Sequence, residues 1–304
     1  MPEVSNDFDA RTLPLRNGSI ATLVRVPAEG VTRGAILYVH GFADYFFQRH
    51  VAEHFTAQGY DFYAIDLRYC GRSLRDGDIP HFILDVSLYY EELDAAAEEL
   101  RKDGHLRFTV MAHSTGGLIT PLWLDARPTL PVDGLVLNSP WFELAEPRLA
   151  RTVGTSLIRS VGGFYPRLEL RKGLGGVYGE SIHKDHHGEW DFDLRLKPLT
   201  AFPVLAGWLR AIRIGHAKLQ AGLNVEAPVL VMHSSRSLLR TKTWTPAAMT
   251  ADTVLDVADM VRFAPGLGHD VTVVEIADGM HDLFLSAEAV RTKALTEVDK
   301  WLAR

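Results

Sequence analysis

A single serine stands between an apolar strand and a helix, and this junction constrains the fold most strongly. Residues 106–112 are apolar enough for a buried strand and residues 114–125 predict a helix, so the chain must turn sharply at Ser114. Ala112 and Gly116 stand two positions on either side of Ser114, where larger side chains would clash across the turn. The turn would expose the hydroxyl beside a helix N-terminus, whose free N–H groups favour negative charge. The pattern is typical of a nucleophilic serine, although a serine that merely caps a helix takes the same position.

Apolar strands alternate with helices along most of the chain. Because these strands are apolar on both faces, they favour a mostly parallel central sheet with helices on both faces, joined by right-handed crossovers. In such a sheet the functional loops gather at the carboxyl ends of the strands. The predicted strands are residues 34–40, 60–66, 106–112, 134–138, 228–233 and 271–276. The predicted helices are residues 48–58, 84–102, 114–125, 252–263 and 286–302, after a hairpin at residues 11–26.

The pattern changes between residues 139 and 225. This stretch has no segment typical of a buried parallel strand, and apolar residues recur in it at helical spacing. The recurring residues are Leu149, Val153 and Leu157 in one run and Leu205, Leu209 or Trp208, Ile212 and His216 in another. We therefore predict an α/β core at residues 1–138 and 226–304, interrupted by a mainly helical cap, or lid, at residues 139–225.

Composition and charge limit the classes of function. The 304 residues carry a net charge of −6, so no basic field indicates nucleic-acid binding. No apolar run approaches the roughly 18 residues of a membrane helix, and residues 1–7 lack the apolar region of a secretory signal. The single cysteine, Cys70, cannot form an internal disulfide and is predicted to be a buried filler. These features predict a cytoplasmic protein without a transmembrane segment and leave homo-oligomer formation open.

A serine hydroxyl becomes a good nucleophile when a base takes its proton, and the base works best when a carboxylate orients it. His281 is the candidate base, because it lies in a short glycine-containing loop directly after the last predicted strand. It also comes last in the chain order serine, acid, histidine that accompanies a serine at a strand–helix turn. Taken alone, a histidine in a loop is as often a plain surface residue.

The acid should follow the next-to-last core strand, which is predicted to end at His233. Residues 234–237 contain no carboxylate, and Asp252 and Asp256 are the first candidates beyond them. Asp252 is predicted to precede a helix, from which it can reach sideways to a histidine, whereas Asp256 is predicted within the first turns of that helix. Asp252 is therefore the predicted acid and Asp256 the alternative. A plain helix-capping role also fits the position of Asp252.

Acyl transfer also requires two fixed N–H donors for the oxygen that becomes negatively charged. The backbone N–H of Thr115 is one candidate, because it directly follows the serine of the turn. The N–H of Phe42 is the other, in the loop that follows the strand at residues 34–40. Both loops are expected at the carboxyl edge of the sheet.

The predicted cap holds two further groups of side chains. Three histidines (His183, His186, His187) and three aspartates (Asp185, Asp191, Asp193) are ligand types for a metal, but their glycine and charged neighbours favour an exposed loop. We therefore predict no metal site. Seven aromatic residues are predicted to form the core of the cap and, in part, to line an acyl pocket. These residues are Trp141, Phe142, Tyr165, Trp190, Phe192, Phe202 and Trp208.

Five segments resemble the α/β-hydrolase superfamily, in its branch of monoacylglycerol lipases, lysophospholipases and serine aminopeptidase-like enzymes. They are residues 40–42 (oxyanion segment), 66–73 (an Asp-x-Arg-Gly-x-Gly-x-Ser loop with Tyr69 replacing one glycine), 113–117 (serine turn), 252–256 (acid segment) and 279–282 (histidine loop). The resemblance implies the α/β-hydrolase fold, with residues 139–225 as its cap.

The chain departs from this family in two places. Ala112 replaces the usual glycine before the serine. The family also commonly places its acid a few residues after the strand that is predicted to end here at His233. The simplest alignment expects the acid at Ser237, and a further stretch of chain intervenes before Asp252.

The resemblance implies a serine esterase or lipase-type hydrolase without a cofactor, acting on a small-molecule ester or lipid. Monoacylglycerol or lysophospholipid-like esters would be cleaved through an acyl-enzyme. Ser114 would attack, His281 would transfer the proton and Asp252 would hold the imidazole. Two alternatives stay open: hydrolysis of an amide or peptide, because these residues do not fix the leaving group, and a non-catalytic binding protein on the same scaffold.

Overall fold

A computed structural model describes residues 8–146, 151, 155, 158, 160–173 and 175–304. The main sheet is built from β1 (Asp9–Pro14), β2 (Ile20–Val26), β3 (Gly34–Val39), β4 (Tyr60–Asp66), β5 (Phe108–His113), β6 (Val132–Asn138), β9 (Val229–Ser234) and β10 (Val271–Ile276). Its eight strands lie in the order β1-β2-β4-β3-β5-β6-β9-β10. Strands β1 and β2 pair with each other, and β2 with β4, in antiparallel fashion, and the other pairs are parallel. The predicted hairpin and the mostly parallel sheet are confirmed.

Two hydrophobic cores cover the two faces of this sheet. Successive side chains of a strand point to opposite faces, and Leu37 and Val39 of β3 enter one core while Ile36 and Tyr38 enter the other. The helices are α1 (Arg49–Thr56), α2 (Tyr90–Lys102), α3 (Gly116–Asp125), α4 (Val177–Ile182), α5 (Ala206–Gln220), α6 (Val257–Phe263) and α7 (Glu288–Leu302). Helices α2, α3 and α5 pack in the first core, and α1 and α7 pack in the second. The predicted helices on both faces are therefore present.

Two predicted helices begin later than the sequence indicates. Residues 252–256 are not helical, and α6 begins at Val257 with Asp256 as its N-cap, whose carboxylate accepts a hydrogen bond from the N–H of Ala258 at 3.1 Å. The position predicted for Asp256, inside the helix, is therefore wrong. Helix α2 begins at Tyr90. The residues before it, Val86–Tyr89, form a 3₁₀ turn that the side chain of Asp85 caps.

The segment from residue 139 to residue 225 contains α4, α5 and a short antiparallel ribbon of β7 (Glu169–Arg171) and β8 (Val204–Leu205). The sequence did not predict this ribbon, because β7 is exposed and lacks an apolar alternation. Leu149, Val153 and Leu157, on which one helical run was predicted, lie outside the described residues. The bounds of the cap stay a prediction.

The parallel strands bring the loops of interest to one edge of the sheet. The loops that follow β3, β5 and β10 carry Phe42, Ser114 and His281, respectively, because parallel strands end at the same edge. Cys70 is buried, as predicted. Among the described residues, no helix combines the length and apolar character needed to cross a membrane.

Candidate active site

Ser114 lies on the tight turn between β5 and α3. Its φ of +51° falls in the left-handed region that side chains avoid, as expected where a turn must present a serine. The turn needs small neighbours, because a Cβ added to Gly116 would lie 2.5 Å from the carbonyl oxygen of Val39. A Cβ on Gly41 would lie 3.0 Å from the Cβ of Ser114. Glycine at these two positions therefore lets the loop after β3 lie directly against the serine.

Ala112 is accommodated where the family has glycine. It pairs with Val39 and Leu137 on the neighbouring strands, and its methyl group is fully buried in the first hydrophobic core. The turn therefore does not require glycine before the serine, since the methyl group contributes to core packing.

Ser114, His281 and Asp252 form a continuous chain of hydrogen bonds. The Ser114 Oγ lies 3.0 Å from His281 Nε2, and His281 Nδ1 lies 2.8 Å from Asp252 Oδ2. Because Nδ1 faces a carboxylate, it carries the ring proton, which leaves Nε2 free to accept the serine proton. Asp252 is fully buried and His281 is 3% exposed, so water competes little for these contacts.

The carboxylate of Asp252 is fixed on both sides. Its Oδ1 accepts hydrogen bonds from the N–H groups of Val254 and Leu255, both at 2.8 Å, which leaves Oδ2 for His281. Its backbone pairs with the segment after β9: the Asp252 N–H donates to Arg236 O at 2.9 Å, and Leu238 N–H donates to Asp252 O at 2.7 Å. The structure brings Asp252 to His281, whereas Asp256 caps α6.

The predicted oxyanion donors lie in the cavity beside Ser114. Phe42 and Thr115 both line this cavity, and the ring of Phe42 packs against Trp208 with centroids 4.3 Å apart. Between described residues, no backbone hydrogen bond outside the helices and strands uses the N–H of either residue. Both N–H groups are therefore available to a ligand.

Asn138, at the end of β6, links the serine turn to the histidine loop, and no sequence motif predicted this role. Its carbonyl oxygen accepts the N–H of Ser114 at 3.1 Å. Its side-chain amide donates to Asp282 Oδ1 at 2.7 Å and accepts the N–H of Leu283 at 3.2 Å. Asn138 and Asp282 are fully buried. A polar side chain that ends a predicted buried strand at the carboxyl edge was the signal that could have identified it.

The cavity is large and its walls are mostly apolar. It has a volume of about 620 Å³, which is within the size range of small-molecule sites, and Ser114 and His281 both line it. Three of the aromatic residues predicted for the cap line it: Trp141, Phe192 and Trp208. The wall also includes residues 239–241, from the segment between β9 and Asp252.

One buried ion pair lies in the wall of the cavity. Lys197 Nζ lies 2.7 Å from Asp44 Oδ1, and both side chains are buried. The ammonium group also lies over the rings of Phe47, Tyr178 and Phe192, 5.6–5.9 Å from their centroids. Burial alone would raise the pKa of Asp44, but the Lys197 ammonium, together with His113 and His40, holds that pKa below its usual value. The pair thus joins residues 193–199 to the loop that carries Phe42.

The histidines and aspartates between residues 183 and 193 make other contacts. The ring of His187 stacks on Trp244 with centroids 3.5 Å apart, and His183 Nδ1 accepts the N–H of Asp185 at 3.1 Å. Across the part of the chain that the structure describes, no group of three or more His, Cys, Asp or Glu side chains is arranged to hold a metal ion.

Known structures share this fold. A soluble variant of monoglyceride lipase from Saccharomyces cerevisiae, in complex with a substrate analog, matches with a TM-score of 0.73 and 18% identity over 97% of this chain and 94% of its own. The monoacylglycerol lipase of Paleococcus ferrophilus matches with a TM-score of 0.68 and 20% identity over 92% and 98%, respectively. An esterase from Exiguobacterium antarcticum matches with a TM-score of 0.64 and 13% identity over 96% and 99%. At such identities, these likenesses establish the fold.

The sequence itself establishes the family. No curated protein sequence matches the chain significantly. The family model described as serine aminopeptidase, S33, matches residues 30–288, which include all five predicted site residues. The resemblance predicted from the sequence motifs is therefore confirmed, and the chain belongs to the serine aminopeptidase S33 family of the α/β-hydrolase superfamily.

Proposed function

We propose that this protein is a metal-independent serine hydrolase that cleaves carboxylic esters. The observation that carries the proposal is the unbroken chain from Ser114 Oγ through His281 to Asp252, with hydrogen bonds of 3.0 and 2.8 Å, at the base of a mostly apolar cavity. A helix-capping serine would not require an imidazole and a buried carboxylate in line with its hydroxyl.

In the first step, the Ser114 oxygen attacks the carbonyl carbon of the ester while its proton passes to His281 Nε2. The resulting imidazolium is stabilised by Asp252, whose Oδ2 lies 2.8 Å from Nδ1. When the tetrahedral intermediate collapses, the bond to the alcohol breaks, and the imidazolium gives its proton to the departing oxygen. Water then attacks the acyl-enzyme with the same base and releases the acid.

The negative oxygen of the tetrahedral intermediate requires donors that are already in position. We assign the backbone N–H groups of Phe42 and Thr115 to this role, since both residues line the cavity and neither N–H is engaged by another described residue outside the helices and strands. The close approach of Gly41 to Ser114 supports this assignment, because it brings the loop of Phe42 against the nucleophile.

We infer that the substrate carries an aliphatic acyl chain. A cavity of about 620 Å³ with Trp141, Phe192 and Trp208 in its wall offers an apolar surface to such a chain. Monoacylglycerol or lysophospholipid-like esters fit this description. Two structures that share the fold are described as monoglyceride or monoacylglycerol lipases, which supports the same class.

A second candidate is the hydrolysis of an amide or peptide bond, favoured by the description of the matching family as serine aminopeptidases. The same serine, histidine and aspartate could serve it, because they do not select the leaving group. A non-catalytic binding protein on this scaffold is a third candidate, although it would have no need of the ordered carboxylate.

A fluorophosphonate probe and a panel of esters with graded acyl length test the proposal. We expect the probe to label Ser114 covalently, with Ser114→Ala losing both the label and ester hydrolysis. Aminoacyl amides are the comparison substrates. Failure of the probe to label Ser114 under conditions that label a reference esterase would favour the binding protein, and faster cleavage of amides than of esters would favour the peptidase.

A further inference from the structure

The side chain next to the proposed nucleophile contains a buried hydroxyl with no partner. Thr115 is 5% exposed, and its Oγ1 is out of contact with solvent and makes no hydrogen bond with any described residue. The residue lines the same cavity as Ser114. Buried hydroxyl groups nearly always have a hydrogen-bond partner, so an orphan at such a position calls for an explanation.

The position of Thr115 explains why the usual partner is missing. Within a helix, a threonine hydroxyl bonds to the carbonyl four residues earlier, as Thr120 does to Gly116 O at 2.9 Å. Thr115 precedes the first residue of α3, and four residues before it the chain is still in β5. Its hydroxyl does not cap the helix either. The fold therefore keeps a buried donor that its own backbone does not satisfy.

We propose that the hydroxyl of Thr115 donates a third hydrogen bond to the oxyanion, beside the backbone N–H groups of Phe42 and Thr115. Within one threonine, Oγ1 and the backbone nitrogen are three bonds apart, so they lie within about 4 Å of each other in every rotamer. In a rotamer with the hydroxyl gauche to the backbone nitrogen, an oxygen bound to the Thr115 N–H can also accept from this hydroxyl. In the free protein Oγ1 is out of contact with solvent, so it reaches the oxyanion only after rotation about the Cα–Cβ bond, which exchanges it with the methyl group of nearly equal size.

This role depends on the proposed function and extends it. The hydroxyl would be unsatisfied in the free protein and satisfied only when the carbonyl oxygen becomes negative. A contact made mainly in the transition state accelerates the chemical step without tightening substrate binding. Thr115 thus becomes a catalytic residue through its side chain as well as through its backbone.

Thr115→Val tests the proposal, because valine keeps the shape and removes only the hydroxyl. We expect kcat on a neutral ester to fall about tenfold to a hundredfold with KM nearly unchanged. The inhibition constant of a trifluoromethyl ketone, which forms an oxyanion on Ser114, should rise by a similar factor. Thr115→Ser, which keeps the hydroxyl, should recover most of the loss.

Thr120→Val is the matched control, because it removes a hydroxyl of the same helix that already has a partner. It should lower the melting temperature by about 2 °C and leave kcat as it is, whereas Thr115→Val should leave the melting temperature the same or higher. An unchanged kcat and inhibition constant in Thr115→Val would overturn this inference and leave the proposed function standing. A wild-type protein that cleaves no ester and is not labelled at Ser114 would instead overturn the proposed function, and this inference with it.

Discussion

Ser237 and Asp252 lie opposite each other across a parallel β-bridge, although residues 238–251 separate them in the chain. The family pattern expects an acid at the position of Ser237, soon after the strand that ends at Ser234. Here the chain leaves that position, contributes residues 239–241 to the cavity wall, and returns beside its starting point. The excursion therefore delivers the carboxylate of Asp252 to the neighbourhood where the family expects one.

The first prediction concerns the choice between the two carboxylates. Asp252→Asn should lower kcat by about 10⁴-fold, because an amide cannot stabilise the imidazolium and favours the wrong ring tautomer. Asp256→Asn should retain kcat within about twofold, since an asparagine also caps a helix well. The measurement is kcat/KM on one ester at constant pH for both variants. Full activity in Asp252→Asn together with its loss in Asp256→Asn would contradict the assignment.

The second prediction concerns Asn138, which we assign as a positioning residue for His281. Asn138→Asp would place a carboxylate against Asp282, where the amide now donates at 2.7 Å. We expect a loss of stability of about 3 kcal/mol near neutral pH, because two buried carboxyl groups would face each other and could not both ionise without strong repulsion. We also expect a fall in kcat, because the loop that carries His281 would shift. Urea unfolding and single-ester kinetics measure the two effects.

The exchanged pair Asn138→Asp with Asp282→Asn is the control for this prediction, because it again pairs one amide with one carboxylate. It should recover part of both the stability and kcat. A double variant as unstable as Asn138→Asp would show that the pair does not act through this contact.

The third prediction concerns the buried pair of Lys197 and Asp44. Lys197→Met leaves the carboxylate of Asp44 buried without its cation, which should destabilise the fold by about 3 kcal/mol near neutral pH. Without the ammonium group, we expect burial to raise the pKa of Asp44 above its ordinary value. In the natural chain, Lys197 with His113 and His40 holds this pKa below it. A buried acid with a raised pKa gains stability as the pH falls through that pKa, since the folded state then binds the extra proton.

The loss in the free energy of unfolding caused by Lys197→Met should therefore be smaller at about pH 5 than at about pH 8. In the natural chain, the contribution of the pair is present above the ordinary pKa of the carboxyl and is lost only at more acidic pH. The measurement is the free energy of unfolding in urea at both pH values. In the double variant Asp44→Asn with Lys197→Met, this difference between the pH values should disappear. A loss of stability that is larger at pH 5 than at pH 8 would contradict the unpaired carboxylate of Asp44 as its cause.

The central fold was predictable because its strands are apolar on both faces. Residues 60–66 form a strand with the predicted bounds, and this strand is almost wholly buried, as such an apolar run requires. Residues 271–276 also form a strand with the predicted bounds, but at the edge of the sheet, where it is only partly buried. The start of α6 was not predictable, because either Asp252 or Asp256 could cap a helix. Only the backbone pairing of Asp252 with residues 236–238 shows that the helix does not begin there. The strand β7 is exposed and β8 has only two residues, so neither has an apolar pattern from which a strand could be predicted.

Within the candidate site, local sequence indicated Ser114 and His281, because each lies in a short motif with small neighbours. The roles of Asn138 and Asp282 were not predicted, because they depend on a hydrogen bond between residues far apart in the chain. A single sequence contains no signal for such a pair beyond the polar character of each member. The orphan hydroxyl of Thr115 likewise becomes visible only once its surroundings are known.

The last prediction concerns the backbone of Ser114, whose φ of +51° a glycine adopts without strain. Ser114→Gly and Ser114→Ala both remove the hydroxyl and its hydrogen bond to His281, so they differ mainly in the presence of a Cβ. We expect the glycine variant to be more stable than the alanine variant by about 1 kcal/mol, although both are inactive. Urea unfolding of the two proteins measures this difference.

Ala112→Gly serves as the control, because Ala112 lies in β5 without a positive φ and its methyl group packs in the core. There the same loss of a Cβ should destabilise the protein by about 1 kcal/mol, since glycine gains backbone freedom in the unfolded chain and leaves a gap in the core. If removal of the Cβ raises the stability at residue 114 and lowers it at residue 112, the strain is local to residue 114. A Ser114→Gly variant no more stable than Ser114→Ala would mean that this strain is not a cost of presenting the serine.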